Sequence, residues 1–159
     1  MKIKLIIFIA LATFSLSTNA LGQKTEPVDP KFDAKLAKEL GADEYGMKHY
    51  VFVLLKTGPK DADYKGKERE AMFAGHFANI GRLGDQGKLA VAGPFGENGK
   101  GYRGVFILNA ATLEEAQKLV DSDPTIKAGI LVAEMTLWYG SAALMATPEL
   151  HKKIQAKQF

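Results

Sequence analysis

Apolar and polar positions follow two different periods along this chain. In "MFAGHFANIGRL", Met72, Phe73, His76, Phe77, Ile80 and Leu83 recur at three- and four-residue spacing. At about 100° per residue they fall within one arc of about 140°, which predicts an amphipathic helix from about Gly66 to Gln86, ended by Gly87. The stretch "KHYVFVLLKTGP" is instead a continuous apolar run rich in β-formers and closed by Gly58-Pro59, so a strand is expected over Lys48 to Pro59. Two more strands are expected at Leu89 to Ala92 and Tyr102 to Asn109, joined by a glycine-rich turn region. A second helix, "TLEEAQKLVDSDP", opens with Thr112 and Glu115 as a capping box. Asp123-Pro124 closes it, because a residue before proline is pushed out of helical geometry. "GILVAEMTLWYG" (Gly129 to Gly140) completes the set as a fourth strand.

The order β-α-β-β-α-β is the split βαβ arrangement, and the fold class is α+β with a ferredoxin-like subunit. On the third strand Val105 and Ile107 share one face, and Phe106 and Leu108 the other. On the fourth, Leu131, Ala133, Met135 and Leu137 oppose Ile130, Val132, Glu134, Thr136 and Trp138. Two helices cover only one face of four strands, so apolar residues on the second face need another cover. The simplest is a second copy of the same sheet, which makes a homodimer the expected partner. An N-terminal helix or the C-terminal tail is the alternative cover.

Both ends carry additions. "PKFDAKLAKELG" reads as a short helix with Asp29 as cap, Pro30 in the first turn and Gly41 at the exit. The tail "TPELHKKIQAKQF" reads as a basic helix capped by Thr147, with Pro148 at its first position. The first 22 residues have two lysines, an apolar run from Leu5 to Phe14 and small residues at Ala20 and Gly22, the layout of a secretory signal peptide. Cleavage is expected after Gly22, or after Ala20. The run is too short for a stable span, which needs about 20 apolar residues, so no membrane anchor is expected after cleavage; an uncleaved anchor is the alternative. The chain then divides into a signal at 1–22, a leader and short helix at 23–46, a domain at 47–140 and a basic helix at 141–159.

Charge and cysteine content narrow the function classes. The formal charge of +3 falls to about +1 once Lys2 and Lys4 leave with the signal, which gives no warrant for nucleic-acid binding. With no cysteine there is neither a disulfide nor a lipidated amino terminus, so an exported periplasmic or secreted domain must rest on its core alone.

His76 stands where a leucine would pack better. It is either a satisfied core histidine or an acid/base group, and the second reading needs a carboxylate to orient the ring. Asp123 is the first candidate, at the end of the second helix, although Asp before Pro is also an ordinary turn former. Glu134 is the second, on a strand among apolar neighbours, whose face points either towards the helices or away from them. Arg69, two turns before His76, either holds an anionic substrate or solvates the helix start. Gly93 at a strand end lets a ligand approach the backbone. Trp138 either stacks on a ligand or closes the core. "GPFGENGKGYRG" is not a phosphate loop, which would need glycine at Pro94 and Ser or Thr at Gly101. No H-E-x-x-H, cysteine pair or nucleophile elbow supports a metal site or a serine nucleophile.

"HFANIGRLGDQGKLAVAGPFGENGKGYRGVFIL" followed by "EEAQKLVDSDPTIKAGILVAEMTLWYG" resembles the YCII-related (YciI-like) domain, over about His49 to Tyr139. The resemblance implies a dimeric α+β barrel of ferredoxin-like subunits. It implies a histidine and an aspartate in a cleft, here His76 and Asp123, with Gly93 and Pro94 carrying the strand-end motif. Some members of that family are linked to breakdown of aromatic compounds, including dehydrochlorination, and others to transport or regulatory settings. The expectation is therefore a small enzyme of lyase, isomerase or hydrolase type, acting without a cofactor on a small organic molecule. Arg69, Gly93, Pro94 and Trp138 would contact the substrate. The alternative is a non-catalytic ligand-binding or assembly protein.

Overall fold

A computed structural model of the chain describes residues 28–157. The signal segment of the sequence reading lies outside the described residues. Among the described residues, no helix is long and apolar enough to cross a membrane.

The sheet is built on β1 (Met47–Thr57), whose apolar run is buried on both faces at its centre. β2 (Leu89–Pro94), β3 (Tyr102–Leu108) and β4 (Leu131–Ser141) complete it in the order β2-β3-β1-β4, every pair antiparallel. Register sets the two faces: Val53 lies between Phe106 and Met135, while Tyr50 faces Trp138. This is the ferredoxin-like α+β order expected from the sequence.

One face carries α2 (Gly66–Asp85) and α3 (Leu113–Val120). Between it and the helices lie Val51, Val53, Leu55, Phe106 and Leu108 from the strands, with Leu83, Ala116 and Val120 from the helices. Ile130, placed by alternation on the opposite face, precedes β4 and joins this core, because the strand period does not extend into the turn before it. Thr112 caps α3 through the Glu115 N–H at 3.1 Å, and Glu115 returns a bond to the Ala111 N–H, one residue outside the usual capping box.

The second face is partly covered by the chain itself. A 3₁₀ segment, Ala142–Ala146, lays Leu144 and Met145 against Tyr50, Ala90 and Ile107. The Tyr50 hydroxyl donates to the Ser141 carbonyl at 3.0 Å, and its burial pushes the phenol above its ordinary range. Val132 and Trp138 on this face remain 37% and 38% exposed.

The terminal helices form with shifted starts. α1 (Ala34–Leu40) is capped by Asp33, not Asp29, through the Leu36 N–H at 2.9 Å. Asp29 instead accepts from the Lys31 N–H in a turn of its own. α1 exits at Gly41 as expected. α5 (Thr147–Ile154) contains Thr147 rather than being capped by it, because the preceding 3₁₀ segment already gives Thr147 helical geometry. A further short helix, α4 (Pro124–Lys127), begins where the second helix was expected only to stop.

Candidate functional site

α2 presents His76, Asn79 and Leu83 to the interior. Leu83 is ordinary core, whereas His76 lies over the sheet near β3, its ring stacked on Phe106 at 5.9 Å between centroids. Phe73, one turn of helix before His76, and Phe77, the residue after it, meet the ring edge-on at 5.9 and 5.5 Å. The imidazole is thus walled by aromatic rings on three sides, and its side chain is only 9% exposed.

Asp123 reaches this ring from α4. It caps that helix through the Thr125 N–H, and Pro124 occupies the first helical position, where a missing N–H costs nothing. α3 itself stops earlier, at Val120 with Asp121 as its cap, so this proline serves to begin α4. Gly75 permits the approach: a Cβ there would lie 2.9 Å from Pro124 Cγ.

The outcome is a buried pair with His76 Nδ1 2.6 Å from Asp123 Oδ2. The other oxygen, Oδ1, accepts from the Thr125 N–H at 2.9 Å and the Thr125 hydroxyl at 2.6 Å. Burial alone would push the Asp123 carboxyl up, but the bonds from His76 and Thr125 outweigh it and hold the group below its ordinary value of 3.8. At neutral pH Asp123 is ionised and can only accept, so Nδ1 carries the proton it donates. In the neutral form of the ring Nε2 then carries the lone pair. Among the described residues no hydrogen bond reaches Nε2.

The other residues singled out from sequence are spread over three places. Arg69 is engaged with Asp61, by a bond to its carbonyl at 3.0 Å and an ion pair with Oδ1 at 2.8 Å. Its guanidinium also lies 5.0 Å from the centre of the Phe73 ring, one step from His76. Gly93 and Pro94 end the edge strand β2, opposite Val105 and Gly104, and a Cβ on Gly93 would meet nothing within 4 Å. Trp138 sits on the sheet face away from His76, against Tyr50, folded over Gly140. Glu134 is on that same face in a 2.7 Å pair with Lys56, so it is not a partner for the histidine.

Three groups at the site were not anticipated. Thr125 and Phe106 are described above. Asn79 and Ser122 form the third: the Ser122 hydroxyl and an Arg82 N–H both donate to Asn79 Oδ1, tying α2 to the turn that leads into Asp123. The signal for Thr125 was present, since D-P-T is an N-cap followed by N1 and N2.

Two of the surface cavities among the described residues lie elsewhere. One, of about 210 Å³, is at the β2–β3 hairpin beside Phe95, Asn98, Tyr102 and Arg103. The other is at the end of α5, beside Lys152 and Lys157.

A family model for the YCII-related domain matches residues 50–138, more than half of the chain. Among solved structures, the 5-chloro-2-hydroxyhydroquinone dehydrochlorinase of Burkholderia phenoliruptrix AC1100, in complex with 2,5-dihydroxybenzoquinone, is 24% identical to this chain. The similarity covers 55% of this chain and 92% of that one, with a TM-score of 0.39. No curated protein matches the chain.

Proposed function

This chain belongs to the YCII-related domain family, and from that premise we propose that it is a small enzyme in which His76 and Asp123 carry out acid/base chemistry on a small organic molecule. The observation that carries the reading is the 2.6 Å contact of Nδ1 with Asp123, which leaves Nε2 as the free base. In such a step Nε2 takes a proton from substrate carbon or from water. The resulting imidazolium stays bonded through Nδ1–H to Asp123, whose charge balances it. Nε2 then returns the proton to a leaving group or to the neighbouring atom. This sequence serves a lyase, an isomerase or a hydrolase, and proton transfer of this kind contributes about 10²- to 10⁴-fold in rate. It needs no cofactor. A substrate arriving at Nε2 would lie between Phe73 and Phe77, within reach of Arg69 if that side chain exchanged Asp61 for a substrate anion. Gly93, Pro94 and Trp138 would take part only through the β2 end and through the open sheet face.

In this reading the protein is exported by its amino-terminal signal, acts in the periplasm or outside the cell, and pairs with a second copy through the sheet face that carries Val132 and Trp138.

The small exposure of the His76 side chain favours a second reading, a ligand-binding or assembly protein in which the pair is structural. The experiment that separates them is a screen of small aromatic and carboxylated substrates with the wild type and with His76→Gln and Asp123→Asn. The enzyme reading expects a turnover that falls about 10²- to 10⁴-fold in His76→Gln. A turnover indifferent to both substitutions, or ligand binding without turnover, would favour the second reading.

A further inference from the structure

Thr125 is fully buried, yet carries a hydroxyl in a place where valine would fill nearly the same space without a polar atom to satisfy. Capping of α4 does not require that hydroxyl, because the cap is already made by the Thr125 backbone N–H to Asp123 Oδ1 at 2.9 Å. The hydroxyl adds a second donor to the same oxygen at 2.6 Å, and it stands 3.4 Å from His76 Nδ1. A carboxylate held by one donor can turn about its Cβ–Cγ bond and exchange its oxygens. Held by two donors on Oδ1 it cannot do so without breaking both. Oδ2 is then the oxygen left for the ring.

We infer that Thr125 is a positioning residue for the His76–Asp123 pair, its hydroxyl fixing the carboxylate so that Oδ2 meets Nδ1 and the ring keeps its proton on that nitrogen. The inference rests on the acid/base reading of the pair and adds to it a third member acting through Asp123. Because the hydroxyl hydrogen goes to Asp123, the Thr125 oxygen faces Nδ1 as an acceptor and so disfavours a bare lone pair there. Both contacts push towards one tautomer, the one with Nε2 free.

The test uses the mature chain with nitrogen-labelled histidine, comparing wild type, Thr125→Val, Thr125→Ser and Asp123→Asn, with backbone amide spectra to confirm the fold. The readouts are the low-field Nδ1 proton, the two ring nitrogen shifts, and the pH titration of the Asp123 carboxyl carbon. The inference expects a low-field Nδ1 proton in the wild type, its loss and averaged nitrogen shifts in Thr125→Val with the Asp123 carboxyl titrating at higher pH, and recovery of all three in Thr125→Ser. Should Thr125→Val fail to fold, Thr125→Ala against Thr125→Ser makes the same comparison. If Asp123→Asn abolishes the signal and the Thr125 variants all keep it, Thr125 is a packing residue and the inference falls while the pair stands. If the wild type carries its proton on Nε2, the pair reading fails and takes this inference with it.

Discussion

Gly75 faces Pro124 so closely that a Cβ on the glycine would stand 2.9 Å from the proline ring. Gly75 precedes His76 and Pro124 follows Asp123, so this gap sets the distance across which the pair bonds. Ring carbons of a helix-starting proline cannot swing aside as the end of a lysine would. Gly75→Ala is therefore expected to part α2 from α4 by a few tenths of an ångström, lengthen the Nδ1–Oδ2 contact and lower the urea midpoint, despite alanine's better helix propensity. Gly81, on the same helix with nothing within 4 Å of its would-be Cβ, is the control. Gly81→Ala is expected to stabilise by about 0.5–1 kcal/mol.

Acid should weaken the protein through Asp123. Its folded value lies below the ordinary 3.8, so the unfolded chain takes up the proton first as pH falls. The stabilisation is complete above 3.8 and is lost as pH drops through the lower folded value. Asp123→Asn is expected to cost about 1.5–3 kcal/mol near neutrality, the worth of a hydrogen bond to a charged group. The gap to wild type should close as pH falls below 3.8, measured by urea unfolding across a pH series.

A second carboxylate works on a different residue. Asp43 accepts a hydrogen bond from the Tyr139 hydroxyl, and that bond, ahead of burial and the Asp43 charge, pushes the phenol up to about 12. The neutral phenol is the form the fold favours. Its contribution is present in full below the ordinary tyrosine value of 10.0 and disappears as pH rises through about 12. Ultraviolet titration should show one tyrosine ionising late, and Asp43→Asn should return it towards 10.0.

Much of this was legible from sequence because it depends on local period. Alternation placed Phe106 and Leu108 opposite Val105 and Ile107, and helical spacing put His76 on the buried stripe of α2. Asp123 was legible as its partner only because the topology lays the two helical regions on one face. Other parts depend on contacts between distant residues. Arg69 meets Asp61 across a loop with no periodicity to announce it. Asp123-Pro124 reads as a helix stop, and nothing local says that it also starts α4. The cover that Leu144 and Met145 give the second face comes from a tail whose path the strand pattern does not contain.

The partly open second face carries its own prediction. Val132 and Trp138 remain more than a third exposed after the tail has covered Tyr50 and Ile107. If a second copy packs there, the mature chain should sediment as a dimer, and Val132→Lys should shift it to monomer without unfolding it. A wild type that is monomeric at micromolar concentration would show that the tail is the only cover this face has.

The proposed chemistry requires Nε2 of His76 to be a free, reachable base. The most direct measurement is acylation by diethyl pyrocarbonate near neutral pH, mapped residue by residue, with His49 and His151 as internal references. The account predicts modification of His76 at Nε2 in the wild type and slower modification in Asp123→Asn with the fold intact. His76 untouched while His49 and His151 react to completion would contradict it, and would leave the imidazole as a packed core group.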